Sequence, residues 1–255
     1  MIIDTHAHYD DEDFNEDREE ILCGLKEKNV ELVVNAAASM NGCRRTIELT
    51  EKYPFVYGML GVHPDEVSEL TEADMEFIEK EAQRAKIVAI GEIGLDYHWD
   101  VAPRDVQKQW FIRQMEIARK LQLPICVHSR DAAADTLSVM KEAKAEEIGG
   151  VIHCYSYSAE MAKEYLAMGF YFGIGGVVTF KNGRKCKETV EAVPLDHILL
   201  ETDAPYLAPE PFRGKRNDSS LISYVVKTIA EIKGVTEKEV LEITNANAKR
   251  LYKKL

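Results

Sequence analysis

Eight short runs of apolar residues recur along the chain, and longer segments that mix apolar and charged residues separate them. Short apolar runs of this kind are typical of strands buried on both faces, as in parallel sheets. Strands that alternate with helices predict an α/β fold. We expect these strands at Met1–Thr5, Leu32–Ala37, Val56–Val62, Ile87–Ile93, Leu123–His128, Gly150–Cys154, Phe170–Ile174 and Ile198–Glu201.

The clearest helical pattern covers Pro103–Leu121, where apolar residues form one face among arginine, lysine and glutamine. Two further helices are expected after the last strand, at Ser219–Lys233 and at Thr236–Tyr252. Thr236 and Glu239 have the spacing of a capping box, which predicts where the last helix begins.

The number of strands and the length of the chain favour a closed barrel over an open sheet. A chain of 255 residues is typical of a (β/α)8 TIM barrel built as one domain, and no stretch rich in Pro, Gly or Ser divides it. The segment Gly91-Glu92-Ile93-Gly94 ends the fourth strand but lacks the GxGxxG spacing of a dinucleotide site. We therefore predict a single TIM-barrel domain over residues 1–255.

Charge and composition narrow the classes of partner. The formal net charge is −12, which argues against a broad basic surface for nucleic acid, so a phosphate-bearing substrate must be attracted locally. No apolar run approaches the roughly 18–20 residues of a membrane-spanning helix, and we expect no membrane partner. The chain start lacks the pattern of a secretory signal, and the five cysteines are scattered without a CxxC pair. We expect a cytoplasmic protein with reduced thiols.

Histidines and acids fall where the predicted strands end. The first strand runs into His6 and His8, which are two positions apart and face the same side of an extended chain. The carboxyl ends of barrel strands share one rim, and that rim carries the active site in barrels of this type. Four imidazoles and two carboxylates are a typical ligand set for zinc, manganese or similar ions, too large for one tetrahedral site. The six residues are His6, His8, Glu92, His128, His153 and Asp203.

Several blocks of the sequence resemble the TatD family of metal-dependent hydrolases and deoxyribonucleases. They read HAH, GEIGLDYHWD, PICVHSRDA, GVIHCYSYSAE and LLETDAPYLAPEPFRGKRN, in the family's order, and TNANAKRLY follows near the end of the chain. The resemblance implies a TIM barrel and a binuclear centre of divalent ions (Zn, Mg, Mn or Ni) with the same six ligands. We assign His6, His8 and Asp203 mainly to one ion, and His128 and His153 to the other. Glu92 is expected to bridge the two ions.

Asp203 and Glu92 are the predicted catalytic residues. A carboxylate beside a metal-activated water is a natural general base, so Asp203 is expected to orient or deprotonate that water. We expect His63, which lies in a block that matches the family, to contact substrate phosphate. Four cations near the rim are expected to do the same: Arg130, Arg213, Lys215 and Arg216. Three aromatic residues that flank the rim are candidates for stacking on bases: Tyr155, Tyr157 and Tyr206.

One block departs from the family pattern. The family usually continues RGKxN with Glu-Pro, whereas this chain continues with Asp218-Ser219-Ser220. The departure leaves the predicted ligands unaffected and falls at the start of the next helix. Either Asp218 or Ser219 can still cap that helix.

Three functions remain open at the level of sequence. The leading one is a deoxyribonuclease or phosphodiesterase that uses a metal-activated water, with DNA ends or single strands as substrate because the acidic surface offers no duplex-wide footprint. The same metals also serve an amidohydrolase-like enzyme that cleaves an amide, a lactone or an aminoacyl ester. A noncatalytic binding protein stabilised by metal belongs to another class, and the histidine- and oxygen-rich set at the rim argues against it. The sequence does not indicate an oligomeric state.

Overall fold

The computed structural model describes residues 1–255 and contains one eight-stranded parallel sheet in which the strands follow one another in chain order. An α-helix lies between each strand and the next, as the alternating pattern predicted, and the TIM-barrel prediction is confirmed. The strands are β1 (Ile2–Ala7), β2 (Val30–Ala36), β3 (Val56–Leu60), β4 (Ile87–Asp96), β5 (Ile125–Arg130), β6 (Gly150–Ile152), β7 (Tyr171–Ile174) and β8 (Ile198–Leu200).

Nine α-helices surround or follow the strands. They are α1 (Arg18–Gly24), α2 (Met40–Lys52), α3 (Glu72–Glu81), α4 (Arg104–Leu121), α5 (Ala133–Glu142), α6 (Ala159–Ala167), α7 (Arg184–Ala192), α8 (Ile222–Lys233) and α9 (Glu237–Leu251). The predicted capping box is present at the start of α9, where the side chains of Thr236 and Glu239 each accept from the other's backbone N–H. None of these helices combines the length and the apolar character needed to cross a bilayer.

The first and last strands meet and nearly close the barrel. His8 N–H donates to the carbonyl of Ala204 over 2.7 Å, and Asp203 N–H donates to the carbonyl of His6 over 2.9 Å. The hydroxyl of Thr5 also reaches the carbonyl of Leu200 at 2.9 Å. These contacts bring the earliest and the latest predicted ligands side by side.

At the rim, β7 ends where predicted, at Ile174, and the other strands end one to three residues from the predicted position. β1 continues through His6 to Ala7, and β4 continues to Asp96, because the ladder does not stop at the first polar side chain. Gly94 pairs with His128 across β4 and β5, and a Cβ on Gly94 would lie 1.9 Å from the carbonyl oxygen of His128. Only glycine permits this close approach, which extends the sheet into the site.

The apolar core has two parts, and the second closes the end of the barrel at which the strands begin. A cluster of 57 buried residues includes strand and helix residues that pack together around the barrel. A second cluster of 13 combines strand residues such as Ile3 and Met59 with Leu251 and Tyr252 at the end of α9. Asn245 of α9 bonds to Met1 and Ile3, so α9 covers the amino ends of the strands. The carboxyl ends of the strands are left as the open mouth.

Candidate metal centre

The structure brings all six predicted ligands together at the carboxyl ends of the strands. β1 supplies His6, with His8 directly after it, and β4 and β5 supply Glu92 and His128. His153 directly follows β6, and Asp203 lies three residues after β8. Most of these side chains are buried, although the strands that carry them are distant in sequence.

His6 and His8 form one corner of the cluster. Their Nε2 atoms lie 3.1 Å apart, and both face the same two carboxylates. The Nε2 atoms of His6 and His8 are 3.4 and 3.5 Å from Glu92 Oε2, and 3.7 and 3.3 Å from Asp203 Oδ1. Two imidazole nitrogens and a carboxylate oxygen thus converge within 4.8 Å of one another, as a divalent ion requires.

Glu92 lies between this corner and a second one. While Oε2 faces His6 and His8, Oε1 lies 2.8 Å from His128 Nδ1 and 3.8 Å from His153 Nε2. The imidazole of His153 also stacks on that of His6, with ring centroids 3.6 Å apart. The two oxygens of one buried carboxylate therefore point at different sets of histidines.

Each of the four histidines turns its second nitrogen away from the cluster toward a separate partner. His8 Nδ1 donates to the carbonyl of Ala36 over 2.7 Å, and His6 Nδ1 lies 3.3 Å from the Sγ atom of Cys126. The other two pairs are His128 Nε2 with Asp96 Oδ2 at 3.0 Å, and His153 Nδ1 with Glu201 Oε1 at 3.2 Å. Such outer partners fix the ring and its tautomer, so that the inner nitrogen can offer a lone pair to a metal ion. The donor set and its orientation fit divalent ions.

The carboxylates govern the protonation of three histidines in the metal-free protein. Burial opposes the charged form, but Glu201, Glu92 and Asp203 outweigh it and raise the pKa of His153 to about 10. The same balance, set by nearby carboxylates, raises the pKa values of His8 and His128 to about 9.

The pKa values of His6 and Glu92 are lowered instead of raised. Burial and the neighbouring His153 lower the pKa of His6. Burial would raise the pKa of Glu92, but the surrounding imidazoles of His153, His128 and His6 hold it well below its usual value. The cluster is thus a set of carboxylates neutralised by imidazolium protons, which is charge that metal ions can replace.

Asp203 is held in an unusual backbone conformation. Its φ is 60°, in the left-handed region that aspartate tolerates better than most residues. The N–H of Asp203 is bonded to His6, and its carbonyl accepts from Tyr206 N–H at 2.8 Å. This tight turn directs the carboxylate back over the barrel mouth, where it lines the cavity.

Glu201 is a buried acid that the sequence analysis did not single out as functional. It is 1% exposed, and its Oε1 accepts from Cys154 N–H at 2.7 Å besides facing His153. Gly173 of β7 makes room for this carboxylate, since a Cβ there would lie 2.0 Å from Glu201 Oε2. A signal was present in the sequence, because a charged residue that ends an apolar strand needs a buried partner.

His63 lies closer to the cluster than a rim contact would. Its ring packs edge-on against His128 with centroids 4.2 Å apart, and its Nε2 is 3.9 Å from Glu92 Oε1. Burial and the neighbouring His128 lower the pKa of His63 to about 3, so the ring is neutral. Because its Nδ1 accepts from Asp65 N–H at 3.2 Å, the proton is on Nε2 and points into the site.

The cluster forms the floor of an open cavity of about 710 Å³. Its walls are acidic, and apart from the imidazoles of the floor the only cationic side chains in the lining are Arg45 and Arg130, so a phosphate-bearing ligand is attracted only locally. Arg45, on α2, was not among the predicted contacts. The acidic residues that line the cavity are Asp10, Asp11, Glu12, Asp65, Glu66, Glu92, Asp96 and Asp203.

Three of the predicted cationic contacts lie outside this cavity lining. Arg216 binds the carboxylate of Asp17, Arg213 donates to the side chain of Asn182 at 3.0 Å, and Lys215 lies over the ring of Phe212. Their role in substrate binding stays a prediction. At the departure from the family pattern, Asp218 accepts from Ser220 N–H at 2.8 Å and begins the short 3-10 turn that leads into α8.

The three tyrosines predicted to stack on bases have different surroundings in the structure. Tyr155 is buried against Phe172, and the hydroxyl of Tyr157 lies 3.0 Å from that of Ser129. Tyr206 is 52% exposed and lines the cavity. Of the three, Tyr206 alone faces the space where a substrate would lie.

A parallel barrel whose open mouth gathers imidazoles and carboxylates defines a class of protein, the metal-dependent hydrolases. Comparison with known proteins agrees and is more specific. The family model described as TatD related DNase matches residues 3–253. The chain belongs to the TatD family.

Individual relatives are similar over nearly their whole length. The chain is 45% identical over 253 residues to the "Uncharacterized metal-dependent hydrolase YabD" of Bacillus subtilis, covering 99% of each chain. It is 35% identical to the "Putative deoxyribonuclease TATDN3" of Mus musculus, covering 100% of this chain and 89% of that protein. Among solved structures, YJJV, a TatD homolog from Escherichia coli, superposes with a TM-score of 0.92 at 28% identity, covering 99% and 98% of the two chains.

Proposed function

We propose that the chain hydrolyses phosphodiester bonds in DNA at a binuclear divalent-metal centre. The observation that carries the proposal is the position of Glu92, whose two carboxylate oxygens face two different groups of histidines. A carboxylate placed in this way is suited to bridge two ions. The proposed ligands are His6, His8, Glu92, His128, His153 and Asp203.

When bound, a pair of divalent ions lowers the pKa of water and stabilises the negative charge that develops on a phosphodiester. His6, His8 and Asp203 would hold one ion, and His128 and His153 the other. Nitrogen and carboxylate donors accept zinc, manganese, magnesium or nickel, and availability selects among them.

Asp203 is the proposed general base. Its carboxylate is 16% exposed and therefore reaches the cavity, whereas the carboxylate of Glu92 is 4% exposed and lies beneath it. Burial raises the pKa of Asp203, but His153, His8 and His6 outweigh it and keep the pKa below the usual value. An ionised carboxylate at this position can orient an attacking water and accept its proton.

Two side chains are placed to bind the phosphate that is attacked. The neutral ring of His63 carries its proton on Nε2 and can donate a hydrogen bond to a phosphoryl or leaving oxygen. Arg130 lines the same cavity and provides a positive charge for phosphate. Because the remaining lining is so acidic, we expect productive binding to centre on one phosphate, as suits a strand end or a single strand.

The name of the mouse relative and the description of the family model both favour DNA over other phosphodiesters as the substrate. The purified protein should be assayed for metal content and then on single-stranded DNA, a simple phosphodiester and an aminoacyl ester, each with and without chelator. Chelator-sensitive cleavage of DNA supports the proposal. Turnover of the aminoacyl ester alone would replace it with the amidohydrolase-like reaction.

The Asp203→Asn substitution tests the assigned base. It should abolish cleavage while the circular dichroism spectrum stays that of the parent, because the amide keeps the size of the side chain but neither accepts a proton nor offers a metal ion its negative charge. Asp105→Asn is the matched control, since Asp105 is an exposed residue in the first turn of α4, outside the cavity. Near-normal activity of Asp203→Asn would contradict the assignment.

A further inference from the structure

Large apolar side chains are exposed mainly at the mouth of the barrel. Six such residues are exposed in the chain, and four of them lie on two loops. The loop after β4 carries Trp99 and Val101, which are 62% and 61% exposed, and the loop after β8 carries Tyr206 and Leu207. A concentration of exposed apolar surface beside a cavity indicates a place where ligands bind.

The two loops stand on opposite sides of the cavity. In a barrel whose eight strands follow chain order, β4 and β8 are four strands apart and face each other across the mouth. Trp99 and Tyr206 both line the cavity. A substrate bound over the ligand cluster therefore has one aromatic ring on each side.

The surroundings of the two rings differ in charge. The guanidinium of Arg130 lies over the Trp99 ring, 5.5 Å from its centroid, and is itself exposed to the cavity. The hydroxyl of Tyr206 instead donates to the carboxylate of Asp11 at 2.9 Å, within an acidic stretch. A ligand that joins a planar ring to a negative phosphate is thus better matched by the side that carries Trp99.

Asp96 connects the backbone of Trp99 to the ligand cluster. Its Oδ1 accepts the N–H groups of His98 and Trp99 at 2.8 and 3.0 Å, while its Oδ2 lies 3.0 Å from His128 Nε2. The backbone of Asp96 is held in turn by the side chain of Gln107 at 2.9 Å. One buried carboxylate therefore ties the backbone of the loop at Trp99 to a histidine of the site.

We propose that Trp99, with Arg130 beside it, forms a subsite for one nucleobase of the substrate, adjacent to the phosphodiester that is cut. The inference rests on the proposed function and adds a residue that selects the substrate. A nucleotide spans the subsite and the cluster, with its base on Trp99 and its phosphate toward Arg130 and the ligands. Stacking on an aromatic side chain strengthens binding by about 5- to 150-fold per base.

Fluorescence can test the subsite directly, because the chain has two tryptophans and the other, Trp110, is 9% exposed. The Trp110→Phe variant leaves Trp99 as the reporter. Magnesium-loaded Trp110→Phe protein is titrated with thymidine 5′-monophosphate and with 2-deoxyribose 5-phosphate, which lacks the base. We expect the nucleotide to quench the fluorescence and to bind at least about fivefold tighter than the sugar phosphate. Equal affinities without quenching would overturn the subsite.

Variants of the loop separate stacking from other effects. Trp99→Ala should bind the two compounds equally by calorimetry, and Trp99→Phe should retain part of the preference for the nucleotide. Val101→Ala is the matched control, because it removes an equally exposed apolar side chain from the same loop, outside the cavity lining. A preference for the nucleotide that survives in Trp99→Ala would refute the proposal.

Cleavage assays distinguish failure of the subsite from failure of the proposed function. The parent and Trp99→Ala are compared on an oligothymidylate and on an abasic oligomer of equal length. We expect Trp99→Ala to lose at least about fivefold in kcat/KM on the oligothymidylate and nothing on the abasic oligomer. If Trp99→Ala loses the same activity on both oligomers, or loses none on either, the subsite is overturned. If the parent cleaves neither oligomer with any divalent ion, the proposed function is overturned.

Discussion

Replacing Gly173 with alanine should loosen the metal centre from outside its ligand set. The added Cβ would lie 2.0 Å from Glu201 Oε2 and 2.5 Å from Cδ of the same side chain. Glu201 must then move, and it loses its hydrogen bond from Cys154 N–H and its contact with His153 Nδ1, which are 2.7 and 3.2 Å long. His153 would keep its place in the sequence but lose the group that orients its ring.

The size of the effect follows from two contributions. Forcing an extra methyl group into a packed core costs about 1–3 kcal/mol, and loss of a hydrogen bond to a charged group costs about 1.5–3 kcal/mol. We therefore expect metal-free Gly173→Ala to be about 2.5–6 kcal/mol less stable than the parent, which lowers Tm by about 5–12 °C for a chain of this length. Loss of the outer partner of a metal-binding histidine should weaken metal affinity by about 10–100-fold.

Urea denaturation of the metal-free proteins measures the first quantity, and competition with a chelator of known affinity measures the second. Gly24→Ala is the control, because a Cβ on Gly24 meets nothing within 4 Å. Combining Gly173→Ala with Glu201→Asp, which shortens the acid by one methylene, should restore part of the metal affinity. Metal affinity equal to the parent's in Gly173→Ala would refute the idea that Glu201 orients His153.

Two other predictions concern protons and a surface cation. Because His8, His128 and His153 have pKa values raised to about 9, 9 and 10 in the metal-free protein, bound metal must displace their protons. Metal affinity should therefore rise between about pH 6 and about pH 9. Calorimetry in buffers of different ionisation enthalpy would detect the protons that are released. A metal affinity that is independent of pH would contradict this prediction. Arg216→Ala should lower Tm, because it removes the contact with Asp17. The same variant tests the predicted substrate contact of Arg216: a marked fall in kcat/KM on DNA supports it, and an unchanged kcat/KM would refute it.

The arrangement of strands and the proposed ligands were accessible from sequence for the same physical reason. Parallel strands must bury apolar runs, and ligands must follow those runs, so histidines such as His128 and His153 stand out where each run ends. The strand boundaries were less predictable, because the ladder continues through His6 and Asp96 wherever the neighbouring backbone can approach closely. Gly94 permits that approach, and its role appears only when β4 and β5 are paired.

The partners of the ligands could not be assigned from sequence, since they depend on which side chains face one another across strands. Glu201 reaches His153 because Gly173, on the strand between them, leaves room for its carboxylate. The positions of the arginines relative to the cavity could not be predicted for the same reason. Arg45 and Arg216 are equally conspicuous in the sequence, but α2 carries Arg45 to the cavity, whereas Arg216 pairs with Asp17 outside the cavity lining.

The closure between β1 and β8 also sets the time at which the site can exist during synthesis. Asp4 accepts the N–H of Thr202, a residue 198 positions later, and the proposed ligands His6 and Asp203 flank that contact. At about 5–20 residues per second, a ribosome needs about 10–40 s to make the intervening chain. His6 and His8 therefore emerge long before their carboxylate partner, and a complete centre can capture its ions only after nearly the whole barrel has left the ribosome.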